Sequence, residues 1–172
     1  KIFENRNVEV FYAFGCYSAE GISPFMRRFN YTNNLVSTAN VVNFCIKYKV
    51  KLVYASSMSV YGHGNPPFRE DHQCFPIDPY GIAKYAGELD IQAAHNQHGL
   101  DYCIIRPHNI IGERQNIWDK YRNVIGIWMR QILNNEPLTI YGDGNQTRAF
   151  SWVHDYCPIF WQVGQEVPKG LV

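Results

Sequence analysis

The segment SSMSVYGHGNPPFREDHQCFPIDPYGIAK, residues 56–84, determines how the rest of the chain is interpreted. The short apolar run KLVYA at residues 51–55 precedes it and is typical of a buried strand. Residues 80–98 follow it and have the composition of a helix, which begins just after an Asp-Pro step. The segment therefore joins two serines at the end of a strand to a tyrosine and a lysine on the first turn of a helix.

Tyr80 and Lys84 stand four residues apart, so a helix places both side chains on one face. Oxidation of an alcohol needs a base that takes the hydroxyl proton while a hydride leaves carbon. A phenol titrates near ~10, and a neighbouring ammonium lowers that value. We therefore expect Tyr80 to be the base and Lys84 to lower its pKa, with Ser57 holding the substrate hydroxyl or passing its proton on. In a chain with 12 tyrosines this spacing also arises by chance, so the pair has weight only in its context.

That context resembles a known family. Ser-Ser-Met-Ser-Val-Tyr-Gly at 56–62 and Pro-Tyr-Gly-Ile-Ala-Lys at 79–84 are similar to motifs of the extended short-chain dehydrogenase/reductases. Within them, the NAD-dependent nucleotide-sugar epimerases and dehydratases are nearest, above all the UDP-glucose 4-epimerase group, over residues up to about Asp155. The resemblance implies NAD as cofactor and a nucleotide sugar as substrate. It implies these catalytic residues: Ser57, Tyr80 and Lys84.

Two further stretches resemble the family's cofactor site. A predicted strand at residues 8–15 ends in Ala13-Phe14-Gly15, which in the family passes under the cofactor's ribose and pyrophosphate. Phe14 replaces a small residue there, and its ring either crowds the dinucleotide or turns into the core. A helix is expected to open at Asn33-Asn34 and to run to about Tyr48. This stretch resembles the family's Asn-Val-x-Gly-Thr, with Ser37 in place of the glycine, and the family places its leading asparagine near the cofactor. The sequence leaves open which of Asn33 and Asn34 points inward. The resemblance implies these cofactor ligands: Ala13, Gly15, Asn33, Ser56, Tyr80, Lys84 and His108.

Residues 106–115 resemble the family's Arg-x-x-Asn-x-x-Gly-x-Arg-Gln motif. The match implies that His108 lies against the nicotinamide and that Asn109 contacts the substrate phosphates. Alternatively, Arg106 and Asn109 merely satisfy backbone groups at a strand end. The Gly-Asp-Gly at 142–144 predicts a hairpin, and Arg148 after it is implied to bind the diphosphate through its guanidinium. The implied substrate ligands are Ser57, Asn109 and Arg148.

Residues 58 and 59 indicate which of the family's reactions to expect. The 4,6-dehydratases have an Asp-Glu pair there, whereas this chain has Met58 and Ser59, which do not transfer protons readily. We therefore expect a 4-epimerase of the UDP-glucose/UDP-galactose type, in which bound NAD transiently oxidises sugar C4. The alternatives are a sugar-nucleotide reductase or dehydratase of the same superfamily, and a non-catalytic chain that cannot hold NAD.

Strands and helices alternate with connections too long for hairpins, which predicts the α/β class. We expect a partial doubly wound, Rossmann-like parallel sheet with the start of a smaller substrate domain. Residues 1–109 would be the C-terminal part of the NAD-binding domain, and residues 110–172 a partial substrate-binding region with interleaved Rossmann elements. Neither an initial methionine nor a Gly-x-Gly-x-x-Gly fingerprint occurs, so we expect an internal piece of a longer enzyme, inactive alone. A chain that does not bind dinucleotides is the alternative.

Composition argues against several other classes. A net charge of +1 gives no reason to expect nucleic acid, and no stretch approaches the ~20 apolar residues of a membrane span. The five cysteines are scattered and odd in number, which favours reduced thiols in a cytoplasmic protein. No spacing of histidines and cysteines supports a metal site. Family resemblance implies a homodimer for the full-length protein, with residues 80–98 in the interface.

Overall fold

A three-stranded parallel sheet lies at the centre of the computed structural model, which describes residues 7–165. Its strands are β1 (Val10–Ala13), β2 (Lys51–Ala55) and β3 (Tyr102–Ile105), in the order β1-β2-β3. In the register of the sheet, Val10 lies opposite Lys51, and Leu52 lies opposite Tyr102. A second, two-stranded parallel sheet pairs β4 (Asn109–Ile111) with β5 (Phe150–Trp152).

Helices connect and cover these strands. The α-helices are α1 (Arg27–Tyr31), α2 (Ser37–Tyr48), α3 (Pro79–His98), α4 (Val124–Leu133) and α5 (Val153–Gln165). A π-helical segment, Thr32–Val36, joins α1 to α2. Two 3₁₀ helices, Glu20–Phe25 and Met58–Val60, follow the carboxyl ends of β1 and β2.

The central sheet is covered on both faces. Leu52 and Tyr54 pack into a core cluster with Val42 of α2 and Ile91 of α3. Side chains alternate along a strand, so Lys51 points to the other face, where its Nζ donates to the Val163 carbonyl of α5 at 2.8 Å. The predicted α/β class with a parallel sheet is therefore confirmed. The division into two regions at residue 109 stays a prediction.

The start of α3 has a clear sequence cause. Asp78 caps the helix, because its Oδ1 accepts hydrogen bonds from the backbone amides of Tyr80 at 2.8 Å and Gly81 at 3.0 Å. Pro79 occupies the first helical position, where its missing amide costs nothing. At the other end Gly99 adopts a φ of 70°, which ends the helix. Tyr80 is thereby fixed on the first turn, as predicted.

The helix expected to open at Asn33 instead begins six residues earlier, at Arg27 of α1. Asn33 does not cap it: its Nδ2 donates to the Phe29 carbonyl four residues back, inside the helix. Apolar residues at helical spacing predict a helix over residues 120–135 with Ile132 facing inward. The structure forms only Val124–Leu133 there, and Ile132 is 63% exposed.

The expected hairpin around Gly142–Gly144 is wrong as well, since the segment before the turn forms no strand and β5, which begins at Phe150, pairs with β4 instead. Thr139 is held by α4 instead: its backbone amide donates to Gln131 Oε1 at 3.1 Å, and its hydroxyl accepts from Gln131 Nε2 at 2.7 Å. The sequence predicts that Phe160 and Trp161 belong to a helix core; in α5, Phe160 is buried, whereas Trp161 is 65% exposed.

Candidate active site

The carboxyl ends of the parallel strands meet at one edge of the central sheet, where α/β folds place their ligands. Ser56 and Ser57 follow β2, and the loop that carries Ser18 follows β1. The first turn of α3 brings Tyr80 to the same edge. Its hydroxyl lies 3.2 Å from Ser18 Oγ, and it is also hydrogen-bonded by the Ser57 side chain. The structure therefore brings together the tyrosine and serine that the sequence paired.

Ser57 is held by the 3₁₀ turn that follows it. Its Oγ accepts a hydrogen bond from the Ser59 amide at 3.1 Å and donates to Ser59 Oγ at 3.2 Å. The side chain is almost completely buried, with 9% of the residue exposed. These hydrogen bonds hold the Ser57 hydroxyl beside Tyr80.

Lys84 lies one helical turn beyond Tyr80 and is only 2% exposed. Its Nζ donates to the Ala55 carbonyl at the end of β2, at 2.7 Å. The ammonium also lies over the rings of Tyr54 and Tyr80, at 4.9 and 5.9 Å from their centroids. The Cys16 thiol, from the loop after β1, is hydrogen-bonded to it. The predicted proximity of Lys84 to Tyr80 is thus present in the structure.

The predicted effect of Lys84 on Tyr80 is not what the structure shows. Burial raises the pKa of Tyr80 to about 12, and the neighbouring Cys16 raises it further, while hydrogen bonds with Ser18 and Ser57 lower it. Burial also lowers the pKa of the Lys84 ammonium, an effect that Cys16 opposes. Desolvation of both groups therefore outweighs the expected stabilisation of a phenolate.

A buried carboxylate anchors α3 to the same strand ends. Glu88 has no exposed surface and receives two hydrogen bonds from Arg106, from Nε to Oε1 at 3.0 Å and from NH2 to Oε2 at 2.6 Å. Ser56 Oγ donates to the same carboxylate. Arg106 also donates to the Tyr61 hydroxyl and to the Glu70 carbonyl, both at 3.1 Å. Ser56, predicted to bind the cofactor, thus has its hydroxyl in this network.

Of the two neighbouring asparagines, Asn34 points inwards. It is 1% exposed, accepts a hydrogen bond from the Tyr17 amide at 2.7 Å and donates to the Tyr17 carbonyl at 3.1 Å. Asn33, the one assigned to the cofactor from the sequence, is exposed and bonds only its own helix turn among the described contacts. Asn34 therefore fixes the loop after β1, whereas the cofactor role assigned to Asn33 stays a prediction. The sequence contained one indication that Asn34 is the inward residue: it stands three residues before Ser37, as the family's asparagine stands three residues before its glycine.

The loop after β1 also supplies an acidic group. Ser59 Oγ donates to Glu20 Oε2 at 3.2 Å, which places this carboxylate beside the serines that follow β2. Burial raises the pKa of Glu20, Asp78 raises it further, and the hydrogen bond from Ser59 and the charge of Arg148 lower it. The sequence analysis did not identify Glu20, although loops at the carboxyl end of a parallel strand are where such groups occur.

The remaining predicted site residues are more open. Ala13 ends β1 half-buried, and Gly15 is exposed. His108 is half-buried between β3 and β4. Asn109 begins β4, where its Nδ2 donates to the Ala149 carbonyl at 3.1 Å. Arg148 is exposed, and its guanidinium donates to the Thr147 carbonyl at 2.8 Å.

Phe14, the substitution of concern at the end of β1, is turned towards α5. Its ring packs edge-on against Phe160 with 4.6 Å between centroids and lies 6.0 Å from the ring of Tyr12. The residue remains 51% exposed. The sequence analysis expected the ring either to crowd the dinucleotide or to turn into the core. The ring instead packs on α5 and is not buried in the core.

Within residues 7–165 there is no group of His, Cys, Asp and Glu side chains arranged to hold a metal ion. Over the same residues, no helix has the length and apolar composition needed to cross a membrane.

Comparisons with known proteins agree with this geometry. A putative UDP-glucose 4-epimerase of Methanocaldococcus jannaschii is 41% identical over 125 residues, which are 71% of this chain and 41% of that protein. The crystal structure of UDP-glucose 4-epimerase from Thermotoga maritima with UDP-glucose superimposes with a TM-score of 0.89 at 27% identity, covering 95% of this chain and 54% of that one. A UDP-N-acetylglucosamine 4-epimerase from Methanobrevibacter ruminantium M1 gives 0.90 at 28% identity, with the same two coverages.

The chain therefore spans between about two fifths and just over half of these relatives. Other similar proteins are named UDP-glucuronate 4-epimerase, UDP-N-acetyl-alpha-D-glucosaminuronate decarboxylase and dTDP-D-glucose 4,6-dehydratase. The names share a nucleotide-sugar substrate and differ in the reaction. The model of the NAD dependent epimerase/dehydratase family matches residues 9–171. The predicted family is confirmed: the chain belongs to the NAD dependent epimerase/dehydratase family.

Proposed function

We propose that this protein is a nucleotide-sugar 4-epimerase that uses NAD and acts on a substrate of the UDP-glucose/UDP-galactose type. The observation that carries the proposal is the cluster of Tyr80, Ser57 and Lys84 at the carboxyl end of β2. A phenol that meets both a serine hydroxyl and an ammonium suits proton transfer from a sugar alcohol. The names of the similar proteins support a nucleotide-sugar substrate.

The residues at this edge of the sheet fit a dinucleotide. A Cβ built on Gly15 would meet no atom within 4 Å, so backbone at the end of β1 is open to close approach. Lys84 Nζ carries three N–H groups; the Ala55 carbonyl and the Cys16 sulfur take two of them, so one donor remains for a ribose hydroxyl. The Phe14 ring, packed against Phe160, lies on the α5 side. NAD, when bound, supplies the acceptor and donor of the hydride.

The protein's own groups handle the proton. Tyr80 takes the proton of the C4 hydroxyl as the alcohol becomes a ketone, and returns it after the ring has turned over. Ser57 holds the oxygen between its own hydroxyl and that of Tyr80. Because burial holds the pKa of Tyr80 high, the charge of Lys84 is needed to stabilise the phenolate that this step requires.

Epimerisation is favoured over dehydration by residues 58 and 59. A 4,6-dehydration needs an acid that protonates the leaving C6 hydroxyl and a base that removes a proton from C5. Met58 has no transferable proton, and the Ser59 hydroxyl is already committed between Ser57 and Glu20. Homodimer formation and a cytoplasmic location remain predictions.

The test compares full-length protein with its Tyr80→Phe variant, using Tyr48→Phe as the matched control, since Tyr48 is 42% exposed on α2. We expect interconversion of UDP-glucose and UDP-galactose to fall by about 10²–10⁴-fold in Tyr80→Phe, the range for loss of an acid–base group, and to persist in the control.

Product analysis separates the alternatives. A 4-keto-6-deoxy product would assign the protein to the dehydratases, and stoichiometric consumption of added reduced cofactor would assign it to the reductases. Full-length protein that binds no NAD would overturn the enzyme proposal altogether.

A further inference from the structure

Glu20 is an acidic side chain beside the predicted reaction centre. It takes no part in the proton transfer proposed for Tyr80 and Ser57. It begins the 3₁₀ helix after β1, and the residue as a whole is exposed, although the groups around its carboxylate partly remove that group from water. Ser59 Oγ donates to Glu20 Oε2 at 3.2 Å, and Ser57 Oγ donates to Ser59 Oγ at 3.2 Å. Two hydrogen bonds therefore connect this carboxylate to the hydroxyl that is proposed to hold the reacting sugar.

A second acidic side chain lies beside Glu20. Asp78 lies beside Glu20, and its Oδ1 is occupied by capping α3. Asp78 Oδ2 is buried and has no hydrogen-bond partner among residues 7–165. Two acidic side chains therefore lie together at this position, and they make it unfavourable for a further carboxylate.

The opposite end of the site is positive. Arg148 is close enough to Glu20 to act on it electrostatically, and its guanidinium is the proposed ligand of the substrate diphosphate. With C4 of the sugar at Tyr80 and the diphosphate at Arg148, the sugar ring must lie between them. Glu20, which is linked through Ser59 to the Ser57 hydroxyl, then lies alongside the ring.

We propose that Glu20 is a specificity-determining residue that selects uncharged UDP-hexoses and rejects UDP-uronic acids. Its carboxylate accepts charge-assisted hydrogen bonds from sugar hydroxyls. A uronic acid presents a second carboxylate at C6, which offers no donor and repels the first. This inference rests on the proposed function, because it uses Tyr80 to locate C4.

Rotation of the sugar ring during the reaction also brings the C6 group towards Glu20. In a 4-epimerase the hydride returns to the opposite face of C4, so the ring turns over between the two half-reactions. The C6 group is attached to C5, the ring carbon next to C4, and C3 is the neighbour of C4 on the other side. When the ring turns over, the C6 group and C3 exchange places. In one of the two orientations the C6 group therefore faces Glu20, and a carboxylate there meets the negative charge.

The decisive measurement is the affinity of NAD-loaded, full-length protein for UDP-glucose and for UDP-glucuronate, by calorimetry. We expect the wild type to prefer UDP-glucose by at least about tenfold, which is modest for a site that pairs or rejects one polar group. Glu20→Gln should lower this ratio at least fivefold, mainly through tighter binding of UDP-glucuronate. Glu20→Ala provides the same test without an amide in place of the acid.

Asp90→Asn is the matched control, because Asp90 is exposed on α3 ten residues after Tyr80, roughly 15 Å along the helix. It should leave the ratio unchanged. Equal affinities in the wild type, or a ratio that neither Glu20 variant changes, would overturn the inference.

The rate of interconversion of UDP-glucose and UDP-galactose, measured in parallel, tests the proposed function separately. If UDP-glucose is preferred and Glu20→Gln removes the preference, but no variant interconverts UDP-glucose and UDP-galactose, the 4-epimerase proposal fails and the selectivity of Glu20 stands.

Discussion

Replacing Arg106 with leucine should destabilise the protein strongly, because the substitution leaves a buried carboxylate without its ion-pair partner. The Arg106 side chain is 9% exposed and that of Glu88 is not exposed at all, and they are joined by a bidentate ion pair. Although burial opposes its charge, hydrogen bonds to Glu88 and Tyr61 raise the pKa of Arg106. Among the residues that the structure describes, the Ser56 hydroxyl alone would still bond Glu88 in Arg106→Leu.

The magnitude follows from the burial of both partners. Removing one member of a buried ion pair costs about 3–5 kcal/mol, because the remaining charge keeps its desolvation penalty without compensation. For a domain of this size, 1 kcal/mol corresponds to about 2–4 °C in Tm, so we expect a fall of roughly 10 °C. The double variant Arg106→Leu/Glu88→Leu removes both charges and should be more stable than Arg106→Leu alone.

Thermal unfolding of full-length protein, followed by circular dichroism, measures these differences. The matched control is Arg69→Leu, since Arg69 and Asp71 form an ion pair whose side chains are 70% and 69% exposed. Such pairs contribute about 0–1 kcal/mol, so Tm should hardly change. The reasoning would be refuted if Arg106→Leu lowered Tm no more than Arg69→Leu, or if the effects of the two leucine substitutions in the buried pair simply added.

Two further predictions concern the packing of α3. With NAD removed, the difference in absorbance at 295 nm between wild type and Tyr80→Phe should show phenolate only as pH approaches about 12. Because this value lies above the ordinary pKa, the neutral phenol's contribution to stability is present below pH ~10 and is lost as pH rises towards about 12; a step near neutrality would contradict the burial argument. Gly87→Ala should lower stability by about 1–3 kcal/mol, since its Cβ would lie 2.8 Å from the Tyr54 hydroxyl. Gly21→Ala, whose Cβ meets nothing within 4 Å, is the control in the same denaturation assay, and equal effects would contradict the prediction.

The sequence was sufficient where the determining signals are local. The apolar residues of β2 and the Asp78-Pro79 step both lie within a few positions of the elements they specify, and β2 and α3 formed almost as predicted. The pairing of Tyr80 with Lys84 was readable for the same reason, since one helical turn separates them. Their pKa values were not readable, because those depend on burial by distant segments.

The errors arose where a tertiary partner decides the structure. The π-helical segment Thr32–Val36 shifts the helix phase, so periodicity could not show that Asn34, rather than Asn33, faces the loop after β1. The expected hairpin failed because Gln131 binds the backbone and side chain of Thr139 from α4. Glu20 was overlooked because its partner, Ser59, lies 39 positions further along the chain.

The candidate site is built by the docking of one helix against the end of one strand. Tyr80, Lys84 and Glu88 are spaced four residues apart, so they form one stripe along α3. Each meets the carboxyl end of β2 or the serines that follow it: Tyr80 meets Ser57, Lys84 meets the Ala55 carbonyl, and Glu88 meets Ser56.

Close docking of that stripe depends on Gly87, which leaves room for the Tyr54 hydroxyl of β2. The buried Glu88–Arg106 pair, at the far end of the stripe, fixes the helix against both β2 and the segment after β3. A change that moves α3 away from β2 therefore displaces the base and its ammonium together. For this reason Arg106→Leu should lower catalytic turnover as well as stability, although Arg106 contacts neither Tyr80 nor Lys84 in the described contacts.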